Sequence, residues 1–392
     1  MKYNFDEIID RTGTDSIKVE GVQTNWGRND LIPMWVADMD FRTPPFIMDA
    51  IRKRCEHEVL GYTCPCASYK ENIIKWQKER HQLDMTEEMI QFTPGIVPGL
   101  AFAIQCFTKP GDKVIIQTPV YFPFFLVTEK NGRIPTYNPL ILEDGQYKMD
   151  IEHLKQIIDK DCKLLLLCNP HNPGGRVWSK EELKAIADIC HENNIIVVSD
   201  EIHADLALPG QEHTAFATVS EKARCNSVSF MAASKAFNIP GLSSSYAVIP
   251  NKELKERFSA FVENSELGNG HVFAFISVAA AYENGSEWLR QATEYIQSNI
   301  DFLDAFLKEN TPKIKAIRPQ ASYLVFLDCR ELGLPQEELI RFFVEDVHIA
   351  MNDGAMFGKE GTGFMRMNIG CPKATLQKAL NNLKIAYNER FA

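Results

Sequence analysis

The chain has 392 residues, 45% of them hydrophobic and 24% charged, with a formal net charge of −10. That length can bury a large core and usually divides into more than one domain, while the acidic balance argues against nucleic acid, whose phosphates require clustered Lys and Arg. No basic amphipathic arm offers itself to a membrane surface, and the longest apolar stretch, residues 272–281, falls short of the about 20 residues a bilayer span needs. The start Lys2-Tyr3-Asn4-Phe5-Asp6-Glu7 is polar and acidic, unlike a secretory signal. Ten scattered cysteines, several inside apolar runs, fit reduced and mostly buried thiols in a cytoplasm. Cys64-Pro65-Cys66 has no second pair at zinc spacing, so no metal is expected.

Residues 1–45 carry little periodicity and are expected to wrap onto the rest, with the smaller carboxy-terminal part as the main contact. Residues 46–285 read as a large α/β domain. A glycine-proline turn at 93–100 leads into a helical pattern over 101–107, and Lys109-Pro110-Gly111-Asp112 turns into a strand at 113–116. Apolar runs of strand length follow at 164–168, 195–198, 227–231 and 246–249, with a periodic helix at 179–192. Runs buried on both faces and separated by helices predict a mostly parallel central sheet flanked by helices. Residues 272–281 read as a buried helix. From 286 to 392 the texture is α+β and predicts a smaller second domain: helix 288–310, strand 323–327, helix 336–344 and a terminal helix 375–387.

The candidate chemistry lies just beyond the apolar runs, where open α/β sheets bind ligands. After the 164–168 run comes Asn169-Pro170-His171-Asn172-Pro173-Gly174; after the next, Ser199-Asp200-Glu201-Ile202-His203; after the third, Ser234-Lys235. Together they offer an amine for an imine, a carboxylate for a pyridinium nitrogen and an amide for a phenolic oxygen, the groups that hold pyridoxal phosphate and use it as an electron sink. Lys235 sits among small and apolar neighbours, where desolvation frees an amine. Asp200 alternatively caps a following helix, His203 is equally a core histidine, and Asn172 is equally turn chemistry. Backbone amides at Gly95, Ile96 and Val97 suit a phosphate at a helix start, and Ser234 adds a hydroxyl. Tyr121 stacks on a pyridine face or belongs to an aromatic core. Arg366 stands in an apolar run, where a guanidinium needs a partner: a substrate carboxylate gripped by the planar fork, or a structural salt bridge. The glycines of 357–363 neither follow a strand nor open a helix and read as a loop beside Arg366.

Nearly end to end, the chain resembles the fold-type I pyridoxal-phosphate enzymes, specifically the MalY/PatB group of cystathionine β-lyase-like proteins within the class I/II aminotransferase superfamily. The resemblance rests on Pro33-Met34-Trp35-Val36-Ala37-Asp38-Met39-Asp40-Phe41, Gly61-Tyr62, Gly95-Ile96-Val97, Pro119-Val120-Tyr121, the segments around Asn172, Asp200 and Lys235, and Arg366-Met367-Asn368. The Trp35 segment and His203 are particular to this group. It implies a homodimer in which Tyr62 of one subunit reaches the phosphate of the other, with Ala37 and Asn172 joining Arg366 at the substrate. Two departures stand out. Ala232 replaces a hydroxyl common three residues before the lysine, and Ser243 lies where much of the superfamily carries an arginine, an absence the group shares.

The expected activity is that of a carbon-sulfur β-lyase on sulfur amino acids, giving thiol, pyruvate and ammonia. An aminotransferase shares every motif, so preference for the lyase comes from the resemblance alone. A regulatory binding protein on a retained enzyme scaffold is the reading from a different class.

Overall fold

In the computed structural model, residues 2–391 are described. The N-terminal segment runs extended to helix α1 (Ile17–Trp26), and a short strand Ile32–Pro33 then pairs in parallel with Ile349–Ala350. The central sheet has seven strands: β1 (Ile90–Thr93), β2 (Lys113–Ile116), β3 (Ile134–Tyr137), β4 (Cys162–Cys168), β5 (Ile196–Asp200), β6 (Ser227–Met231) and β7 (Ser245–Val248). Their order is β1-β7-β6-β5-β4-β2-β3. Only β7 runs against its neighbours; β2, β3, β4, β5 and β6 pair in parallel. This is the α/β, mostly parallel arrangement expected from sequence.

The apolar run at the centre explains why. In β4, Leu164, Leu166 and Cys168 face helices α2 (Ile96–Phe107) and α4 (Lys252–Asn264), whereas Leu165 and Leu167 face α3 (Lys180–Glu192). A strand covered on both sides by helices is apolar at every position instead of alternating. The helix α3 starts at a reciprocal capping box, Ser179 Oγ accepting from Glu182 N and Glu182 Oε2 accepting from Ser179 N.

A second, four-stranded antiparallel sheet contains β8 (Lys315–Ile317), β9 (Leu324–Asp328), β10 (Asn352–Asp353) and β11 (Phe364–Asn368) in the order β8-β9-β11-β10. Helices α5 (Val272–Asn284), α6 (Ser286–Asn310) and α7 (Lys373–Phe391) pack with it in the largest core, which also takes in Phe5, Met34, Met39 and Phe41 from the N-terminal region. The expected helix at 336–344 differs. It is α-helical only over Gln336–Arg341 and then widens into a π turn over Phe342–Asp346. The wider turn, closed by Val347 N donating to Phe342 O, accompanies full burial of the consecutive Phe342 and Phe343. All ten cysteines are free, but only five are buried; Cys55, Cys64 and Cys225 are exposed and Cys66 and Cys106 are partly so. The expectation of mostly buried thiols is corrected accordingly, because Cys55, Cys64 and Cys66 fall at or near an exposed loop. Among the described residues no helix is long and apolar enough to cross a membrane, and no cluster of His, Cys, Asp or Glu is arranged to hold a metal.

Candidate active site

Five strands deliver their following residues to one edge of the central sheet: Gly95 after β1, Tyr121 after β2, Asn172 after β4, Asp200 at the end of β5 and Lys235 after β6. All five line one cavity of about 210 Å³, with Ala37, Ile96, Val97, His203 and Ser234 beside them. A larger hollow of about 920 Å³ lies beneath the N-terminal segment, but it lacks the lysine, amide and Asp200 carboxylate. The residues singled out from sequence therefore gather at the smaller cavity.

Lys235 is half-buried, and its Nζ donates to the Ala37 carbonyl at 2.6 Å. Desolvation, reinforced by the Arg366 charge, lowers its pKa to about 8, so the free amine is far more accessible near neutrality than in an ordinary lysine. Asp200 shares the β5 face of Val198, toward α2. Its Oδ1 accepts only the backbone amide of Ile202 at 3.1 Å, a local turn and not a helix cap. With no cation in ion-pair range among the described residues, burial and then the Glu201 charge push it up to about 7. Such a carboxylate is short of a positive partner on its open side.

Asn172 is oriented by its neighbours. Its Oδ1 accepts from Arg366 Nη1 at 3.2 Å, its backbone N donates to Cys168 Sγ at 3.2 Å and its carbonyl accepts from Tyr121 N at 3.0 Å. The amide nitrogen is left as a donor with no partner among the described residues. His203 is buried and neutral, its pKa lowered to about 3 by burial, and its Nδ1 has no partner. Tyr121 lines the cavity and also packs against two hydrophobic clusters that contain both aliphatic and aromatic side chains.

At the far end, Gly95 has φ +132, a backbone that L side chains rarely adopt. Its N–H donates to Ser245 Oγ at 3.1 Å. The unpartnered first-turn amides are therefore those of Ile96 and Val97, since Pro98 has no N–H and Gly99 N bonds back to Gly95 O. Sequence reasoning noted Ser243 only as standing where an arginine is common and passed over Ser244 and Ser245; all three line this end. Their signal was a run of three hydroxyls beginning eight residues after Lys235.

Arg366 does not line the cavity itself; it sits behind Asn172 on β11. Its Nη2 donates to Asn352 Oδ1 at 2.6 Å and to the Trp35 carbonyl at 3.0 Å. No carboxylate pairs with it among the described residues, and its buried Nε has no partner. The structural salt bridge is thus not formed, and burial lowers its pKa to about 10. Asn352 is a further residue missed from sequence, lacking any pattern of its own. Tyr62 stands outside the cavity, fully exposed on the loop between Pro45–Cys55 and Ala67–His81.

The chain belongs to the aminotransferase class I and II family, whose model matches residues 29–383. Within it, the chain is 43% identical over 384 residues to cystathionine beta-lyase PatB of Bacillus subtilis (strain 168), covering 98% of this chain and 99% of that one. It is 32% identical to protein MalY of Escherichia coli (strain K12), covering 97% and 98%. Among solved structures, cystalysin from Treponema denticola, which contains a pyridoxal 5′-phosphate cofactor, superimposes with a TM-score of 0.96 at 36% identity, covering 99% of this chain and all of that one.

Proposed function

We propose that this protein is a pyridoxal-phosphate-dependent carbon-sulfur β-lyase that cleaves sulfur amino acids to thiol, pyruvate and ammonia. The observation that carries the reading is a set of four groups gathered around one site, each with bonding capacity left over. These are an amine near neutrality, a buried carboxylate without a cation, an amide donor and free helix-start amides. Each matches a different part of the cofactor, which fits the residues present. Bound there, pyridoxal phosphate supplies an electron sink for the pair left when the substrate Cα–H bond breaks.

The rest falls to the protein. Lys235 would hold the cofactor through its amine, and the same Nζ, when free, would take the substrate Cα proton. Asp200 would hold a proton on the ring nitrogen through its negative charge. Asn172 would donate to the ring oxygen, and His203 lines the same cavity as a neutral ring. The amides of Ile96 and Val97, with the hydroxyl of Ser234, bind phosphate. Arg366, already fixed by Asn352 and Trp35, offers its remaining donors to the substrate carboxylate, with Ala37 and Asn172 at the same end. Preference for the lyase over the aminotransferase outcome is supported by full-length similarity to cystathionine β-lyases.

The assay is incubation of cofactor-saturated protein with cystathionine and no 2-oxo acid, following pyruvate and free thiol. Both should accumulate. Arg366→Lys, which loses the planar fork, should lower kcat/KM roughly 10- to 150-fold, the effect of about 1.5–3 kcal/mol for hydrogen bonds to a charged group. Turnover only after a 2-oxo acid is added would replace the lyase with an aminotransferase. The fully exposed Tyr62, with Val59 and Leu60 exposed beside it, supports a homodimer in which this loop is covered and Tyr62 reaches the phosphate of the partner subunit. Sedimentation should give a dimer, and Tyr62→Phe should weaken cofactor binding; a monomer with full cofactor affinity would exclude both. The unpaired cysteines support a cytoplasmic location.

A further inference from the structure

The proposed base is held, when free, by one carbonyl. Lys235 Nζ donates to Ala37 O at 2.6 Å, and Tyr323 Oη donates to the same oxygen at 3.0 Å. Ala37 lies in segment 34–41, which follows the two-residue strand at 32–33 and is held chiefly by side chains. Asn368 donates to the carbonyls of Val36 and Asp38, and Asn238 brackets Met39 by accepting from its N and donating to its O. Between these ties stand Asp38 and Asp40, and both turn to the same two cations.

Lys18, on α1, has a side chain wholly removed from solvent, with Nζ 2.8 Å from Asp40 Oδ2, 3.7 Å from Asp38 Oδ1 and 3.2 Å from the Asp38 carbonyl. Arg11, from the N-terminal segment, places Nη2 2.7 Å from Asp38 Oδ2, with Nη1 3.1 Å from Asp38 Oδ1 and 2.9 Å from Asp40 Oδ1. Two cations meet two anions, so the cluster is formally neutral. Burying a lysine is costly unless it is paired, and apolar contacts would tether the segment as well. The charges therefore call for a reason beyond tethering, and Lys235 provides one. Asp38 favours its ammonium form, as does Asp200, whereas Arg366 opposes it; His203 and Tyr323 are the neutral titratable groups beside it.

We infer that Arg11 and Lys18 form a positioning and charge-balancing clamp for Lys235. They fix the Ala37 carbonyl that orients the amine, and they cancel the field of Asp38 and Asp40 so that the amine remains a proton acceptor. The clamp deepens the reading of Lys235 given above and rests on it.

Arg11 is partly exposed, so Arg11→Ala tests the charge with little risk to folding. In the holoenzyme, the visible cofactor band should be titrated against pH for wild type, Arg11→Ala and Asp38→Asn. Loss of the cation favours the protonated nitrogen and should raise the spectral midpoint by about 0.5 pH unit; loss of the anion should lower it by a similar amount. The acid limb of kcat/KM should move in the same two directions, and Arg11→Lys should restore most of the wild-type value. Midpoints that stay put, or that move the same way in both variants, would overturn the clamp and leave a plain structural tether. A normal band with unmoved midpoints defeats the clamp alone, whereas a band independent of Lys235 in the wild type defeats the underlying reading.

Discussion

In its proposed role Asp200 would join cofactor binding to stability, because the fold buries its carboxylate and supplies one backbone donor. Raised from 3.8 to about 7, it keeps a proton in the folded, cofactor-free chain at pH values where the unfolded chain has released it. Its contribution to stability therefore declines as pH rises from about 4 to about 7 and is level above that. His203, lowered from 6.5 to about 3, works in the opposite sense, its burial costing less as pH rises through the same range. The clean observable is thus a difference. In thermal unfolding of the cofactor-free proteins, wild type should lose stability relative to Asp200→Asn between pH 4 and 7, and a difference independent of pH would contradict the assignment. Asp200, Asn172 and Lys235 were legible in the sequence because each falls directly after a run apolar enough to be a buried strand. Asn352 was not, since it acts through a side-chain contact with a residue 14 positions away across a strand pair. Gly95 was legible as a turn, but the diversion of its amide to Ser245 depends on β1 and β7 lying side by side, a pairing of residues 152 positions apart.

The helix that presents Ile96 and Val97 is placed by a close approach. A Cβ on Gly99 would lie 2.5 Å from Phe230 Cε1 on β6, so α2 sits on the sheet at a distance only glycine allows. For Gly99→Ala, helix propensity gains about 1 kcal/mol, while overpacking costs about 1–3 kcal/mol. The net effect should be destabilisation, with the helix start pushed away from the sheet. Equilibrium binding should then show weaker affinity for pyridoxal phosphate but little change for pyridoxal, which lacks the phosphate; equal losses for both would show that α2 does not act through that group. The central strands were readable at this scale for the reason given by β4, continuous burial on two faces. The strands β1 and β3 were not, being four residues each at the sheet edges, with β3 only half-covered and too short to show a period. The π turn at 342–346 was likewise hidden, because adjacent buried phenylalanines leave the helical pattern before it unchanged.

Across the whole molecule, the site is assembled from parts distant in the chain. The central sheet supplies the amine, carboxylate and amide; the second sheet supplies Arg366; and residues 34–41 bridge the two through Ala37 and Trp35. The class of fold was legible from the alternation of apolar runs and helices, but the bridging was not, because the first 45 residues show little periodicity and segment 34–41 is tied to both sheets chiefly by side-chain hydrogen bonds. All of these parts converge on a single nitrogen at position 235. Borohydride reduction of the cofactor-saturated protein, followed by peptide mapping, tests that convergence most directly. The pyridoxyl group should be found on Lys235; a label on another lysine, or none at all, would contradict it.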